Sequence, residues 1–211
     1  MENRKIIKSI ATILVLLVGL QLLRMAIEQG FFLFVKRTNF TDDVATMLAM
    51  LVLTIGFVII TSPRGIHLSI FPRKFGALYI IETLVLLGLL GLSFIMFSDH
   101  TAHAITIMLY GSVVTPIFEE IIFRGYIWNK LNAIFKKEVT TYIAVTLLFA
   151  IWHLGYVEGI AFRAPDGLAV IMMWKVAIGF CFGIVLGAVR LKTKNCYSTI
   201  LLHGIMNVFG R

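Results

Sequence analysis

Glu119, Glu120 and Arg124 stand in the run Phe118-Glu119-Glu120-Ile121-Ile122-Phe123-Arg124, three formal charges within six residues of otherwise apolar sequence. Two further polar groups recur in similar surroundings: His153 after Leu147-Leu148-Phe149-Ala150-Ile151-Trp152, and His203 with Asn207 inside Leu201–Phe209. A carboxylate can take a proton from water, an imidazole can pass one on, and an amide can hold a polarised carbonyl. These residue types together can run hydrolysis with water as the nucleophile. At the centre of a lipid-facing helix each charge costs about 2.5–3.5 kcal/mol on insertion scales, so the charged side chains must face a protein interior.

Spacing says how they meet. Residues four apart share a helical face, and neighbours diverge by about 100°. Glu120 and Arg124 can therefore pair while Glu119 points elsewhere and stays available. Phe149 shares a face with His153, and His203 with Asn207. Pro116 kinks the helix shortly before the glutamates. At about 1.5 Å per residue, Glu119 and His153 lie about 25 and 24 Å from Lys136 and Lys137, so an antiparallel hairpin brings them level. His203 and Asn207 lie about 13 and 20 Å from Lys194, and the last helix must start inside the membrane to meet them.

The elements that position these groups are membrane spans. The 211 residues are 59% hydrophobic and 14% charged, with a mean hydropathy of +0.94. Apolar runs fall at Ile6–Val35, Val44–Thr61, Phe75–Phe97, Ala104–Trp128, Val139–Phe162, Leu168–Val189 and Tyr197–Phe209. Their lengths predict an all-α polytopic bundle of six full spans plus a shorter C-terminal helix, one membrane domain over residues 1–211. The first run is too long for the apolar core of a signal peptide and lacks a small-residue cleavage site, so it is expected to be an uncleaved span.

The net charge of +8 reports topology rather than nucleic acid. With the N-terminus in the cytoplasm, twelve basic residues fall on the cytoplasmic side, from Arg4 through Lys130, Lys136 and Lys137 to Arg190 and Lys194. The other side has four: Lys36, Arg37, Arg163 and Arg211. That is the positive-inside bias. Arg24 and Lys175 read as snorkelling or inter-helix pairing, Glu28 and Glu82 as interfacial, and Trp128, Trp152 and Trp174 as packing or interface anchors, with Trp152 able to wall the site. Cys181 and Cys196 have no evident disulfide partner.

Glu-Glu-x-x-x-Arg at 119–124, Phe-x-x-x-His at 149–153 and His-x-x-x-Asn at 203–207, in this order, resemble the CAAX-protease and bacteriocin-processing family of intramembrane proteases, also called the Abi family. The resemblance spans about Ala104 to Phe209 and implies a catalytic centre of Glu119, His153, His203 and Asn207, supported by Glu120, Arg124 and Phe149. It implies an intramembrane endopeptidase that uses glutamate-activated water on a membrane-associated protein or peptide, with family links to bacteriocin processing and self-immunity. The expected setting is the lipid bilayer of a bacterial cell membrane. Other readings of the same residues stay open: a zinc site made by His153, His203 and Glu119, a non-catalytic immunity protein that binds a bacteriocin, and an ion path.

Overall fold

A computed structural model describes residues 2–64, 68–97 and 101–209. They form seven helices: α1 (Glu2–Phe32), α2 (Asn39–Thr61), α3 (Ala77–Phe97), α4 (Ala102–Phe135), α5 (Glu138–Arg163), α6 (Leu168–Thr193) and α7 (Tyr197–Phe209). Six are long and apolar enough to cross a membrane and α7 is shorter, so the all-α polytopic bundle expected from the sequence is what the chain builds.

The helix ends follow from local chemistry. Thr38 and Thr41 cap α2 reciprocally, each side chain accepting from the other's backbone N–H, and Thr101 accepts from the Ala104 N–H at the start of α4. Lys136 and Lys194 adopt positive φ just past the ends of α4 and α6, and each sends its N–H back to a carbonyl of the last turn. These tight stops make antiparallel neighbours of α4 with α5 and α6 with α7.

Without a strong hydrophobic drive between helices in lipid, close packing and hydrogen bonds must join them. Gly179, Gly183 and Gly187 line one face of α6 at four-residue intervals, and a β-carbon at each would lie within 2.3–3.0 Å of His153, Thr146 and Tyr142 on α5. This stripe lets the two backbones close up. The buried core joins α1, α2, α4 and α5 through Ile13, Leu17, Met50, Phe118, Phe123, Phe149 and Trp152. Trp128, expected as a packing or interface anchor, belongs to that core, whereas Trp174 is exposed.

Among the described residues, three stretches inside the membrane-length helices depart from α geometry. α4 widens into π-helical turns at Tyr110–Val114 and Ile121–Ile127, and α5 tightens into a 3₁₀ turn at His153–Tyr156. Changing the hydrogen-bond register frees carbonyls, which in a membrane must find donors. The Thr115 N–H bonds the Tyr110 carbonyl; in that register the next acceptor, Gly111, faces the nitrogen of Pro116, which has no hydrogen. The side-chain amide of Asn207 donates to it instead at 2.6 Å. In the second wide turn Arg190 Nε donates to the Arg124 carbonyl at 3.0 Å. Arg190, counted from the sequence among the cytoplasmic basic residues, is thus buried against α4. At the 3₁₀ turn, Gln21 and Arg24 of α1 donate to the carbonyls of Trp152 and Gly155 at 3.2 and 2.8 Å. The irregular turns hold together because side chains from other helices satisfy them.

Candidate active site

All the motif residues singled out in the sequence gather between the two wide turns of α4, the 3₁₀ turn of α5, and α7. A cavity of about 200 Å³ is bounded by Glu119, His153, His203 and Asn207, with Gly179 and Phe182 of α6 and Tyr110 of α4. The last helix reaches the site because Gly204 has no side chain: a β-carbon there would lie 2.4 Å from the Ser112 carbonyl.

Glu120 and Arg124 form the expected pair. Arg124 Nη1 donates to Glu120 Oε1 at 2.8 Å, and both side chains are fully buried. The same oxygen faces His203 Nδ1 at 3.0 Å. A carboxylate can only accept, so His203 donates from Nδ1 and turns Nε2 toward Glu119. The guanidinium carbon of Arg124 lies 4.2 Å from the centre of the Phe149 ring, which also meets His153 and His203 edge-on. Phe149 is the apolar partition that sets the direction of both imidazoles.

His153 Nδ1 lies 2.8 Å from the Phe149 carbonyl. That oxygen can only accept, so Nδ1 carries the hydrogen and Nε2 keeps a lone pair. The ring backs directly onto Gly179. The motif spacing of four residues therefore fixes the tautomer as well as the face.

Glu119 corrects the sequence reading. It is buried, as expected, but it is not free: Oε1 accepts from Trp152 Nε1 at 3.1 Å and from the Tyr156 hydroxyl at 2.6 Å. Only Oε2 is turned toward His203, whose Nε2 is 3.9 Å away. Tyr156 and Trp152 thus hold one carboxylate oxygen and aim the other. Trp152 was expected to wall the site; Tyr156 carried no signal of its own beyond standing four residues after Trp152, which puts the two on one face. The glycine stripe of α6 is a four-residue repeat that the sequence also displays and that motif reading passed over.

One further reading changes. Arg24 and Glu28 are buried at 4% and 5% exposure and pair at 2.5 Å, so Glu28 is not interfacial; of the two readings of Arg24, inter-helix pairing is the one that holds, through the Gly155 carbonyl of α5. Glu82 does lie partly exposed, accepting from Ser198 at 3.0 Å. Around Glu119, His153 and His203 no three-ligand metal set forms: among the described residues no group of three or more His, Cys, Asp or Glu is arranged to hold a metal ion. Cys181 and Cys196 are both free thiols.

The family model for Rce1-like type II CAAX prenyl endopeptidases matches residues 101–209, just over half of the chain. No curated protein and no solved structure matches it. The matched segment contains all three motifs and α4 to α7, and leaves α1, α2 and α3 outside.

Proposed function

Because the chain belongs to the Rce1-like type II CAAX prenyl endopeptidase family of membrane proteases, we propose that Glu119 is the general base of a peptide hydrolysis carried out inside the bilayer. The observation that carries this reading is the division of labour within Glu119: Oε1 is immobilised by Trp152 and Tyr156, while Oε2 faces His203 Nε2 across 3.9 Å. That separation is too long for a direct hydrogen bond, and one water in the cavity beside the pair can reach both atoms.

Oε2 takes a proton from that water as its oxygen adds to the scissile carbonyl carbon. The lone pair of His153 Nε2 steers the water. The oxyanion that forms is met by the second N–H of the Asn207 amide, the first being spent on Gly111, and His203, held at Nδ1 by Glu120, stands beside it. When the carbon–nitrogen bond breaks, the proton on Glu119 passes to the leaving amine. Arg124 and Glu120 do not touch the substrate; they orient His203 and the helix that carries Glu119. No step calls for zinc, and metal analysis of active, chelator-washed protein tests that point.

The finer reading of the setting follows the charge bias: the N-terminus and the Lys130–Lys137 turn face the cytoplasm of a bacterial cell, and the opposite end faces outward. Bacteriocin processing or self-immunity through cleavage is the physiological role that the motif resemblance favours. Purified wild type and Glu119→Gln, assayed side by side on peptides with and without a prenylated CAAX terminus, test the chemistry. Cleavage by wild type that the variant loses supports the assignment. Equal cleavage by both rejects it.

A further inference from the structure

Beside the catalytic cavity lies a larger one of about 320 Å³, walled by Arg24, Glu28, Asp42, Asp43 and Arg163. The two cavities share Tyr110, Tyr156 and Lys175 on their walls, so they adjoin. The outer one is polar without being an ion trap. Arg24 pairs with Glu28 at 2.5 Å, and Arg163 reaches both Asp42 and Asp43, at 2.6 and 2.7 Å. Paired charges of both signs select no ion, yet they offer donors and acceptors to a peptide backbone that must leave lipid before it can be hydrolysed.

The chamber has a definite side. It lies where α1 ends, α2 begins and α5 ends. Among the described residues, the connections at the opposite end of the bundle carry most of the basic residues, Lys130, Lys136, Lys137, Lys192 and Lys194 among them, against Lys36, Arg37 and Arg163 beside the connections at this end. That bias places the chamber at the outer face of the membrane.

We propose that this chamber is the substrate entrance, that it opens outward, and that the substrate class is a membrane-inserted peptide or protein presenting extended backbone at the outer surface, an exported peptide rather than a cytoplasmic tail. The substrate class rests on the peptidase reading of the inner cavity; the path and its sidedness stand on geometry and charge distribution alone. Tyr156 sits at the passage, its hydroxyl on Glu119 and its ring 4.9 Å from the Arg24 guanidinium carbon, so whatever enters passes the residue that aims the base.

Thiol accessibility tests the path without a known substrate. Gly159 lines the outer chamber and Thr115 the inner, and a β-carbon at 159 would make only ordinary contact with Asp42 Oδ2 at 3.7 Å. Exposed Cys181 is replaced; Cys196 can stay, because burial pushes its thiol up to about 12 and keeps it protonated and unreactive. The full chain carrying Gly159→Cys, Thr115→Cys or Lys136→Cys is treated with a membrane-impermeant thiosulfonate, in intact cells and in inside-out vesicles.

Positions 159 and 115 should react in cells and position 136 only in the vesicles. Plugging the chamber with Gly159→Trp should slow Thr115→Cys by about tenfold or more, since access limits the rate, and leave Lys136→Cys unchanged. If the tryptophan lowers folded yield, a bulky maleimide on Gly159→Cys makes the plug after folding. Faster reaction of position 115 from the cytoplasmic side, or an unchanged rate behind the plug, overturns the proposal. Glu119→Gln should leave all these rates alone, so failure of the peptidase reading would show in cleavage and failure of the path in labelling.

Discussion

Two ion-pair networks flank Glu119 and differ in the exposure of their cations and in the elements they join. The inner one, Glu120 with Arg124 and His203, is buried throughout and lies wholly within the family-matched segment. The outer one links Arg37 to Asp42 and Glu158, and Arg163 to Asp42 and Asp43; it joins α2 and the α1–α2 turn to the far end of α5, and several members are partly exposed. A buried pair adds little net stability against an apolar replacement, but removing one partner is costly because the other is left charged and unsolvated. An exposed pair is cheap either to have or to lose. The inner network therefore fixes catalytic geometry, and the outer one shapes and tethers an entrance.

The largest predicted effect falls on the group the inner network serves. Glu119→Gln keeps volume and hydrogen bonding and deletes the base, so cleavage should drop by about 10²–10⁴-fold with membrane insertion unchanged, measured on purified protein. Arg124→Ala should reduce stability as well as activity: Glu120 loses its guanidinium partner in a fully buried site, a loss on the order of 3–5 kcal/mol. Thermal unfolding in detergent reads it, and wild-type stability would break the contrast between the networks.

Gly179→Ala is the sharper probe of position. The new methyl would sit 2.6 Å from His153 Nδ1, so the ring must move, and a displacement of about 1 Å can cost about 100-fold in rate. Overpacking of this kind costs about 1–3 kcal/mol in stability. Gly187→Ala meets the outer part of the Tyr142 ring instead and should leave cleavage nearly intact. Equal losses from both would mean that the stripe matters only for packing.

The Glu120–Arg124 pair of the inner network was legible in the sequence because its motif is local, whereas the His203 contact with Glu120 joins two helices and was not. Four-residue spacing within one helix places Glu120 against Arg124 and His153 against its own Phe149 carbonyl, whatever the rest of the chain does. The spans were legible for the same reason. What escaped reading depends on pairing across helices. Arg24 reads from the sequence as either snorkelling or inter-helix pairing, and no residue pattern chooses between them, because its acceptor, the Gly155 carbonyl, is 131 residues away and is freed by a 3₁₀ turn. Arg190 was read as a loop cation because the wide turn that frees the Arg124 carbonyl is equally silent. Glu119 was read as free because its donors stand on α5.

Tyr156 belongs to both regions and should show an intermediate effect. Tyr156→Phe removes one of two donors to Glu119 Oε1 and leaves Trp152 in place. A hydrogen bond to a charged group is worth about 1.5–3 kcal/mol; with one donor retained, a loss of about tenfold in kcat is expected. A role in positioning the base predicts a displaced pH profile of kcat, with KM changing less. A rise in KM with kcat unchanged would assign Tyr156 to the entrance only.

The smallest effect should come from Arg37. Its guanidinium meets Asp42 Oδ1 at 2.7 Å, contacts Glu158, and lies 4.1 Å from the centre of the Phe162 ring. The hydrogen bond to Glu158 pushes its pKa further above the ordinary arginine range. A cation with a raised value keeps its full contribution below its unfolded pKa and loses it only as pH climbs through the higher folded value, so Arg37 titrates nowhere near working pH. Ionic strength is the informative variable instead. A double-mutant cycle of Arg37→Gln with Glu158→Gln should give a coupling of about 1 kcal/mol or less, and it should shrink as added salt brings the screening length below about 10 Å. The matching cycle of Arg124 with Glu120, sealed from solvent, should not respond to salt. If the outer coupling were as large and as salt-insensitive as the inner one, the entrance would be as desolvated as the catalytic centre, and the division between a rigid interior and a solvated mouth would fail.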